Sequence, residues 1–248
     1  MLLNDPLALT VLLALIFGAA VLYSSVGHGG ASGYLAVMAL MGLAPLLMKP
    51  AALAMNIAVA GLVFTRLARA GHFDWRLFLP FALGSIPLAY VGGAYTLTDN
   101  WYKIIVGVAL LVAAARLFFE QRDTAPHSHP PFAAALFIGA VLGFLSGVSG
   151  VGGGIFLSPV LLFLGWTAMR SNAAIAAAFI LVNSIAGLAG YALTGNPWPD
   201  GLPWLVLAAL AGGVVGSELA VRRLAPAQLK KLLGVVLVIA GAKMIATA

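Results

Sequence analysis

The sequence predicts an all-α polytopic membrane protein. We expect two inverted repeats of about five transmembrane or re-entrant helices each, with glycine-rich breaks near the bilayer midplane. Of the 248 residues, 62% are hydrophobic and only 8% are charged, whereas a soluble domain carries about 25% charged residues. The apolar residues form runs between short polar or Gly/Pro stretches, and the pattern of the first half recurs in the second.

Ten apolar segments are long enough, or nearly so, to form helices in lipid. Helices are favoured over strands because their backbone groups form hydrogen bonds within the segment. The segments also lack the alternation of apolar and polar residues that is typical of barrel strands. The segments are 7–24, 31–48, 51–68, 77–96, 102–119, 132–148, 154–169, 172–193, 203–221 and 231–247. The polar stretch 120–131 is interpreted as a cytoplasmic linker between a first repeat at 1–119 and a second at 132–248.

The repeat is indicated by matches that keep the same order in both halves. The glycines Gly27, Gly29 and Gly30 align at one constant spacing with Gly150, Gly152 and Gly153. After a short insertion, Asn56 aligns with Asn183 and Lys103 with Lys230. Because five segments per repeat is an odd number, the second repeat is expected to be inserted upside down.

The basic residues support this topology through the positive-inside rule. If the ten segments alternate sides, one side receives most of the 13 basic residues: Arg66, Arg69, Arg76, Arg116, Arg122, Arg170, Arg222, Arg223, Lys230 and Lys231. The other side receives Lys49, Lys103 and Lys243. Both termini are therefore expected on the non-cytoplasmic side. The same sides result if segments one and two, and six and seven, are re-entrant hairpins, so both versions stay open.

Several classes of function are disfavoured by composition and motifs. The basic residues stand singly or in pairs between apolar runs, which argues against a nucleic-acid partner. The chain has no cysteine, so thiol chemistry is excluded. No ATP-binding loop is present, and His127 and His129 lack a third ligand. We therefore expect no catalytic residues, no cofactor and no metal, with membrane lipid as the surrounding partner.

Two glycine clusters are the candidate site. They occupy Ser24–Gly30 and Ser146–Gly154, at matching places in the two repeats. Glycines permit a run of N–H groups to converge on an anion, and a helix that begins just after the cluster adds its positive dipole end. Paired breaks in inverted repeats point to a transporter site. The alternative is close helix packing through small residues.

The backbones of Gly27, Gly29, Gly30, Gly150, Gly152, Gly153 and Gly154 are therefore the candidate anion ligands. Ser25 and Ser149 could add hydroxyl donors, although either could instead bond its own helix. His28 could donate to the anion or carry a coupled proton. Asn56 and Asn183 could line the path or bridge helices. Among the acidic residues only Glu218 lies within a segment, where it is expected to pair with Arg222. The shortage of buried acids favours an anionic cargo.

The chain resembles the TauE/SafE sulfite exporter family, a group that includes sulfonate-related permeases. The resemblance rests on Gly150–Pro159, a glycine-rich turn followed by a proline-containing helix, on the degenerate copy Gly27–Gly30, and on the closing helix, basic turn and helix at 211–247. It implies a secondary carrier in the bacterial inner membrane that exports sulfite, sulfonates such as sulfoacetate, or taurine-derived anions. A passive anion channel and an intramembrane serine hydrolase at Ser149 are the alternatives. The anion, the direction, the coupling ion and the oligomeric state stay open.

Overall fold

The computed structural model describes residues 5–25, 30–118, 128–221 and 227–248. These residues form ten α-helices and no β-strand. The helices are α1 Pro6–Ser25, α2 Ala31–Leu40, α3 Pro45–Arg69, α4 Trp75–Ala94, α5 Asp99–Phe118, α6 Phe132–Ser149, α7 Gly154–Phe163, α8 Met169–Ala192, α9 Leu202–Val221 and α10 Ala227–Ala246. Of the helices described, α1, α3, α4, α6, α8 and α9 are long and apolar enough to cross a membrane. The prediction of an all-helical polytopic membrane protein is confirmed.

Two of the helices are too short to cross a bilayer. α2 and α7 have 10 residues each, which at 1.5 Å per residue gives about 15 Å, half of the roughly 30 Å hydrocarbon core. Each follows a glycine cluster, and each precedes one of the two longest helices described, α3 or α8. These lengths favour the version in which segments one and two, and six and seven, form re-entrant hairpins.

The beginning of α3 differs from the segment boundary expected at Lys49–Pro50. α3 starts at Pro45 and continues through Pro50. A proline inside a helix leaves the carbonyl four residues earlier without its N–H donor, which here is the carbonyl of Leu46. The hydroxyl of Tyr191, on α8, lies 3.3 Å from that oxygen. A contact between distant helices thus compensates for the missing bond, which the local sequence could not indicate.

α3 and α8 form the centre of the bundle and run antiparallel. Their most apolar stretches are 61% buried, compared with 33% for α1 and α9. A Cβ placed on Gly187 would lie 3.5 Å from Leu53, while one placed on Gly61 would lie 3.7 Å from Leu181. The contacts therefore move towards the start of α8 as they move towards the end of α3.

α4 and α6 run parallel and approach closely through glycine. A Cβ on Gly139 would lie 2.3 Å from the Phe81 oxygen, and one on Gly147 would lie 2.1 Å from the Ala89 oxygen. Such distances allow only a hydrogen at these positions, so the two backbones are in contact. This contact fixes the end of α6, where the second glycine cluster begins.

α1 and α9 repeat that arrangement on the other side of the bundle. A Cβ on Gly212 would lie 2.4 Å from the Phe17 oxygen, and one on Gly216 would lie 2.2 Å from the Val21 oxygen. The first helix of one half thus packs parallel to the fourth helix of the other half in both cases. The helix lengths also recur, with 20, 10, 25, 20 and 20 residues in α1–α5 and 18, 10, 24, 20 and 20 in α6–α10.

Charged residues join α3 and α9 at the end of α3. The guanidinium of Arg66 lies 3.3 Å from the carboxylate of Glu218 and donates to the Ser217 hydroxyl at 2.6 Å. Glu218 thus has an interhelical partner, while Arg222, its expected partner, lies in the part of the chain that is not described. Asp74 directly precedes α4, and its carboxylate caps the helix by accepting from the Arg76 and Leu77 amides.

Candidate functional site

The second glycine cluster forms a buried, non-helical turn between α6 and α7. Gly150, Gly152 and Gly153 have φ values of 79°, 83° and 76°, a left-handed region that other residues adopt at a cost. All residues from Gly150 to Gly154 are buried. α7 then begins at Gly154, and the first N–H groups of a helix have no partner within it. The turn therefore presents backbone donors in the interior of the protein.

Polar side chains from α3 and α8 surround this turn. The Asn56 amide nitrogen donates to the Gly150 oxygen at 3.4 Å. A Cβ on Gly152 would lie 3.0 Å from that same nitrogen and 3.3 Å from the Ser184 hydroxyl. The two central helices thus bring an amide and a hydroxyl to the glycine at the middle of the turn.

Most of these polar atoms are buried without a hydrogen-bond partner among the described residues. They are Asn56 Oδ1, both amide atoms of Asn183, and the hydroxyl oxygens of Ser146 and Ser184. Leaving such an atom unpaired costs about 1–3 kcal/mol. Asn183 lies on the α8 face that also carries Ile180 and Ser184, both of which contact Gly152. The cluster is therefore suited to a polar solute that can both donate and accept hydrogen bonds.

The two predicted serine ligands use their hydroxyls within their own helices. Ser25 donates to the Leu22 oxygen at 2.8 Å, and Ser149 donates to the Leu145 oxygen at 2.6 Å. Ser149 also accepts from the Val151 amide at 3.3 Å. Both bonds are local ones of the kind that serines make at helix ends.

The first glycine cluster is described only in part. Gly27, His28 and Gly29 lie outside the described residues, so their roles stay predictions. Gly30 precedes α2 with a φ of −72°, and a Cβ there would lie 2.5 Å from the Tyr34 ring. The hydroxyls of Ser24 and Tyr34 are buried and unpartnered within the described regions. Unpaired hydroxyls thus occur beside both glycine clusters.

A cleft opens near the turn, at the end of α3 opposite Arg66. Lys49 lies in it and is only 6% exposed. Its ammonium donates to the Gly93 oxygen at 2.9 Å and to the Tyr95 oxygen at 3.0 Å. The cleft is partly open to the outside and is lined by Pro45, Leu46, Lys49, Thr96, Leu97, Asp99, Tyr102, Val148, Tyr191 and Asn196.

The sequence alone places Lys49 among the basic residues of the non-cytoplasmic side and does not identify Ser184 or Tyr191. Lys49 reaches residues 44 and 46 positions away in the sequence, and such contacts leave no local signature. Ser184 directly follows Asn183 and could have been found by asking which residues share its helix face. Among the described residues, no three metal-binding side chains lie together.

The comparisons with known proteins agree with a transporter. The family model described as "Sulfite exporter TauE/SafE" matches residues 12–244. A Sinorhizobium fredii protein named "Probable membrane transporter protein y4hK" is 40% identical over 235 residues, covering 92% of this chain and 95% of that protein. No solved structure gives a significant match.

Proposed function

Since this chain belongs to the sulfite exporter TauE/SafE family, we propose that it is a secondary transporter of small organosulfur anions. The cargo would be sulfite or a sulfonate such as sulfoacetate or a taurine-derived anion. Transport would be export by alternating access across a bacterial inner membrane. Membership of a family of membrane transporters supports the general activity, and the chemistry of the glycine turn supports the class of cargo.

The observation that carries the choice of an anion is the donor set around Gly152–Gly154, since the Gly150 amide already donates to the Ser146 oxygen at 2.9 Å and the Val151 amide to the Ser149 hydroxyl at 3.3 Å. Backbone amides at the start of α7, the amide of Asn56 and the hydroxyl of Ser184 can all donate to oxyanion oxygens. No Asp or Glu is found among the buried polar residues of the described chain. A cation would lack a negative partner there, whereas an oxyanion would meet only dipoles and hydroxyls.

The proposed mechanism requires two inverted repeats around that site. The antiparallel contact of α3 with its counterpart α8 supports this relation. α5 and its counterpart α10 provide the same support, because Gly107 lies against Gly241 and Phe118 against Gly234. Equivalent helices would run in the same direction if the repeats were related by an axis along the membrane normal. With inverted halves, each half can take the conformation of the other, and the site then opens to the opposite side of the membrane.

We also propose that His28 carries the coupled proton or donates to the anion, as its position in the first glycine cluster suggests. The expected result is that a pH gradient drives sulfite transport by the wild-type protein but not by His28→Gln. Equal gradient-driven transport by both proteins would remove His28 from the coupling mechanism.

The test is flux in liposomes that contain the purified protein. We expect saturable sulfite efflux that external sulfite accelerates, because a carrier exchanges faster than it returns empty. A thermal-shift screen with sulfite, sulfate, sulfoacetate, taurine, isethionate and thiosulfate would rank the cargo, since a ligand of the folded state stabilises it. Efflux that follows voltage alone and does not saturate would instead indicate a passive channel.

A matched pair of variants locates the site. Gly152→Leu places a side chain against Asn56 and Ser184, while Gly42→Leu has the same backbone requirement in open space. We expect sulfite stabilisation to be lost only in Gly152→Leu. Unchanged stabilisation in that variant would place the anion elsewhere.

A further inference from the structure

The buried ammonium of Lys49 is paired with carbonyls rather than with a carboxylate. In the described chain, the ion pair is Arg66–Glu218, at the opposite end of α3. Two of the three ammonium donors are used by the Gly93 and Tyr95 oxygens, and the Tyr191 ring lies 5.4 Å away. A charge with this little exposure, and with no carboxylate within ion-pair distance among the described residues, is costly to keep, and a negative ligand would offset that cost.

Lys49 stands between the cleft and the glycine turn. A Cβ on Gly150 would lie 3.1 Å from the Lys49 oxygen and 3.4 Å from its Cγ, so the residue packs directly on the turn. Lys49, Leu53 and Asn56 follow one another on one face of α3, at the spacing that keeps helix positions aligned. Lys49 and the amide of Asn56 therefore share one face of α3, with the buried Leu53 between them.

The mouth of the cleft is formed by the connections after α4 and α8. Asn196 donates to the Thr96 hydroxyl at 3.0 Å across the mouth, and the exposed Asp99 also lines the cleft. A small oxyanion entering here meets neutral donors, one carboxylate at the rim and one ammonium within. The ammonium is the group with both the charge and the burial to bind it.

We propose that Lys49 is a direct ligand of the transported oxyanion. The anion would bind in the cleft at the end of α3 opposite Arg66, next to the glycine turn. This assignment rests on the proposed function, because it presumes that a sulfur oxyanion is carried. The alternative role for Lys49 is purely structural. Its two hydrogen bonds would then serve only to satisfy the carbonyl oxygens of Gly93 and Tyr95 at the end of α4, as lysines near helix ends often do.

Lys243 is a matched control for that structural role. Its ammonium also donates to two carbonyls at a helix end, Ala39 at 3.0 Å and Leu40 at 2.9 Å, but it is exposed and does not line the cleft. Lys243→Met therefore removes a comparable cap without touching the proposed site.

The test measures sulfite binding to the purified full-length protein, by calorimetry or by the sulfite-dependent thermal shift. Losing a charge-assisted bond weakens binding by about 10-fold to 100-fold. We expect that loss in Lys49→Met, a much smaller loss in Lys49→Arg, and wild-type binding in Lys243→Met. If Lys49→Met does not fold, Lys49→Gln removes the charge while keeping a donor, and the same loss is expected.

Wild-type sulfite affinity in Lys49→Met or Lys49→Gln, with only a lower melting temperature, would overturn the assignment and leave Lys49 as a helix cap. The proposed function would survive that result. If the wild-type protein binds none of the sulfur oxyanions, the proposed function itself fails. The two failures are distinguished by the wild-type measurement alone.

Discussion

Gly152→Ala is the sharpest test of the glycine turn, because one methyl group perturbs both its backbone and its surroundings. The residue has a φ of +83°, and the added Cβ would lie 2.8 Å from Ile180 Cγ2 and 3.0 Å from Asn56 Nδ2. The left-handed conformation costs an alanine about 1–2 kcal/mol. Displacing Ile180 by about 1 Å adds roughly 1–3 kcal/mol of overpacking. The expected total is about 2–5 kcal/mol.

Gly42→Ala separates those two contributions. Its φ is +78°, and nothing lies within 4 Å of the added Cβ, so only the backbone cost of about 1–2 kcal/mol applies. Both variants would be melted in detergent, with and without sulfite. We expect a clearly lower melting temperature for Gly152→Ala than for Gly42→Ala, and a sulfite-induced shift that survives only in Gly42→Ala. Equal melting temperatures and equal shifts would refute the view that Gly152 faces a packed binding site.

Three further predictions concern packing, polar lining and charge. Gly93→Ala places a Cβ 2.0 Å from the Gly187 oxygen and should lower the melting temperature. Gly18→Ala, whose Cβ meets nothing within 4 Å, should raise the melting temperature slightly through helix propensity. A Gly93→Ala protein that melts like the wild type would contradict the close contact between α4 and α8. Asn183→Leu removes two buried polar atoms that have no partner among the described residues. It should stabilise the ligand-free protein by about 1–2 kcal/mol and abolish sulfite binding. A lower stability of the ligand-free variant would show instead that Asn183 bridges helices. Asp99→Asn removes a negative charge from the rim of the cleft, so it should tighten sulfite binding about twofold at low salt and less at high salt. Titrations at two ionic strengths measure this difference. An effect that does not depend on salt would argue against a carboxylate at the anion's entrance.

The sequence was sufficient to predict the helical architecture because lipid leaves few alternatives. Apolar runs must satisfy their own backbone, so composition and length determine the element type. The helix ends were less predictable. Proline at Pro50 predicted a boundary, yet α3 continues because Tyr191 from α8 approaches the carbonyl of Leu46. A rule based on neighbouring residues cannot anticipate a partner that the fold brings from the other half of the chain.

The candidate site was predictable where it depends on backbone conformation. Left-handed backbone conformations favour glycine, so a turn could be predicted from Gly150, Gly152 and Gly153. The matching asparagine at Asn56 was found through the repeat and does contact that turn. The inverted relation of the repeats and the binding roles of Gly27, His28 and Gly29 stay predictions.

Hydroxyl and amine groups were harder to assign, because one side chain can bond to its own helix or to a ligand. Ser149 and Ser25 stood in the right clusters, but both donate to carbonyls of their own helices. Ser184 lay outside the clusters and yet approaches Gly152. The choice depends on which neighbouring backbone groups are already satisfied, which only the packed structure determines.

The distribution of charge around the site has a consequence for alternating access. Asn56 and Asn183 are equivalent in the predicted repeat, but the position equivalent to Lys49 on that alignment is Ala176, which is neutral. If the repeats exchange conformations, the amide lining looks the same from both sides while the buried ammonium belongs to one side only. The two open states would then bind an anion with different affinities. Such a difference changes the concentration at which each side saturates and not the direction of net flux, because a ligand only shifts the equilibrium between states by its differential affinity. The direction must therefore come from the gradients of the anion and of any coupled proton.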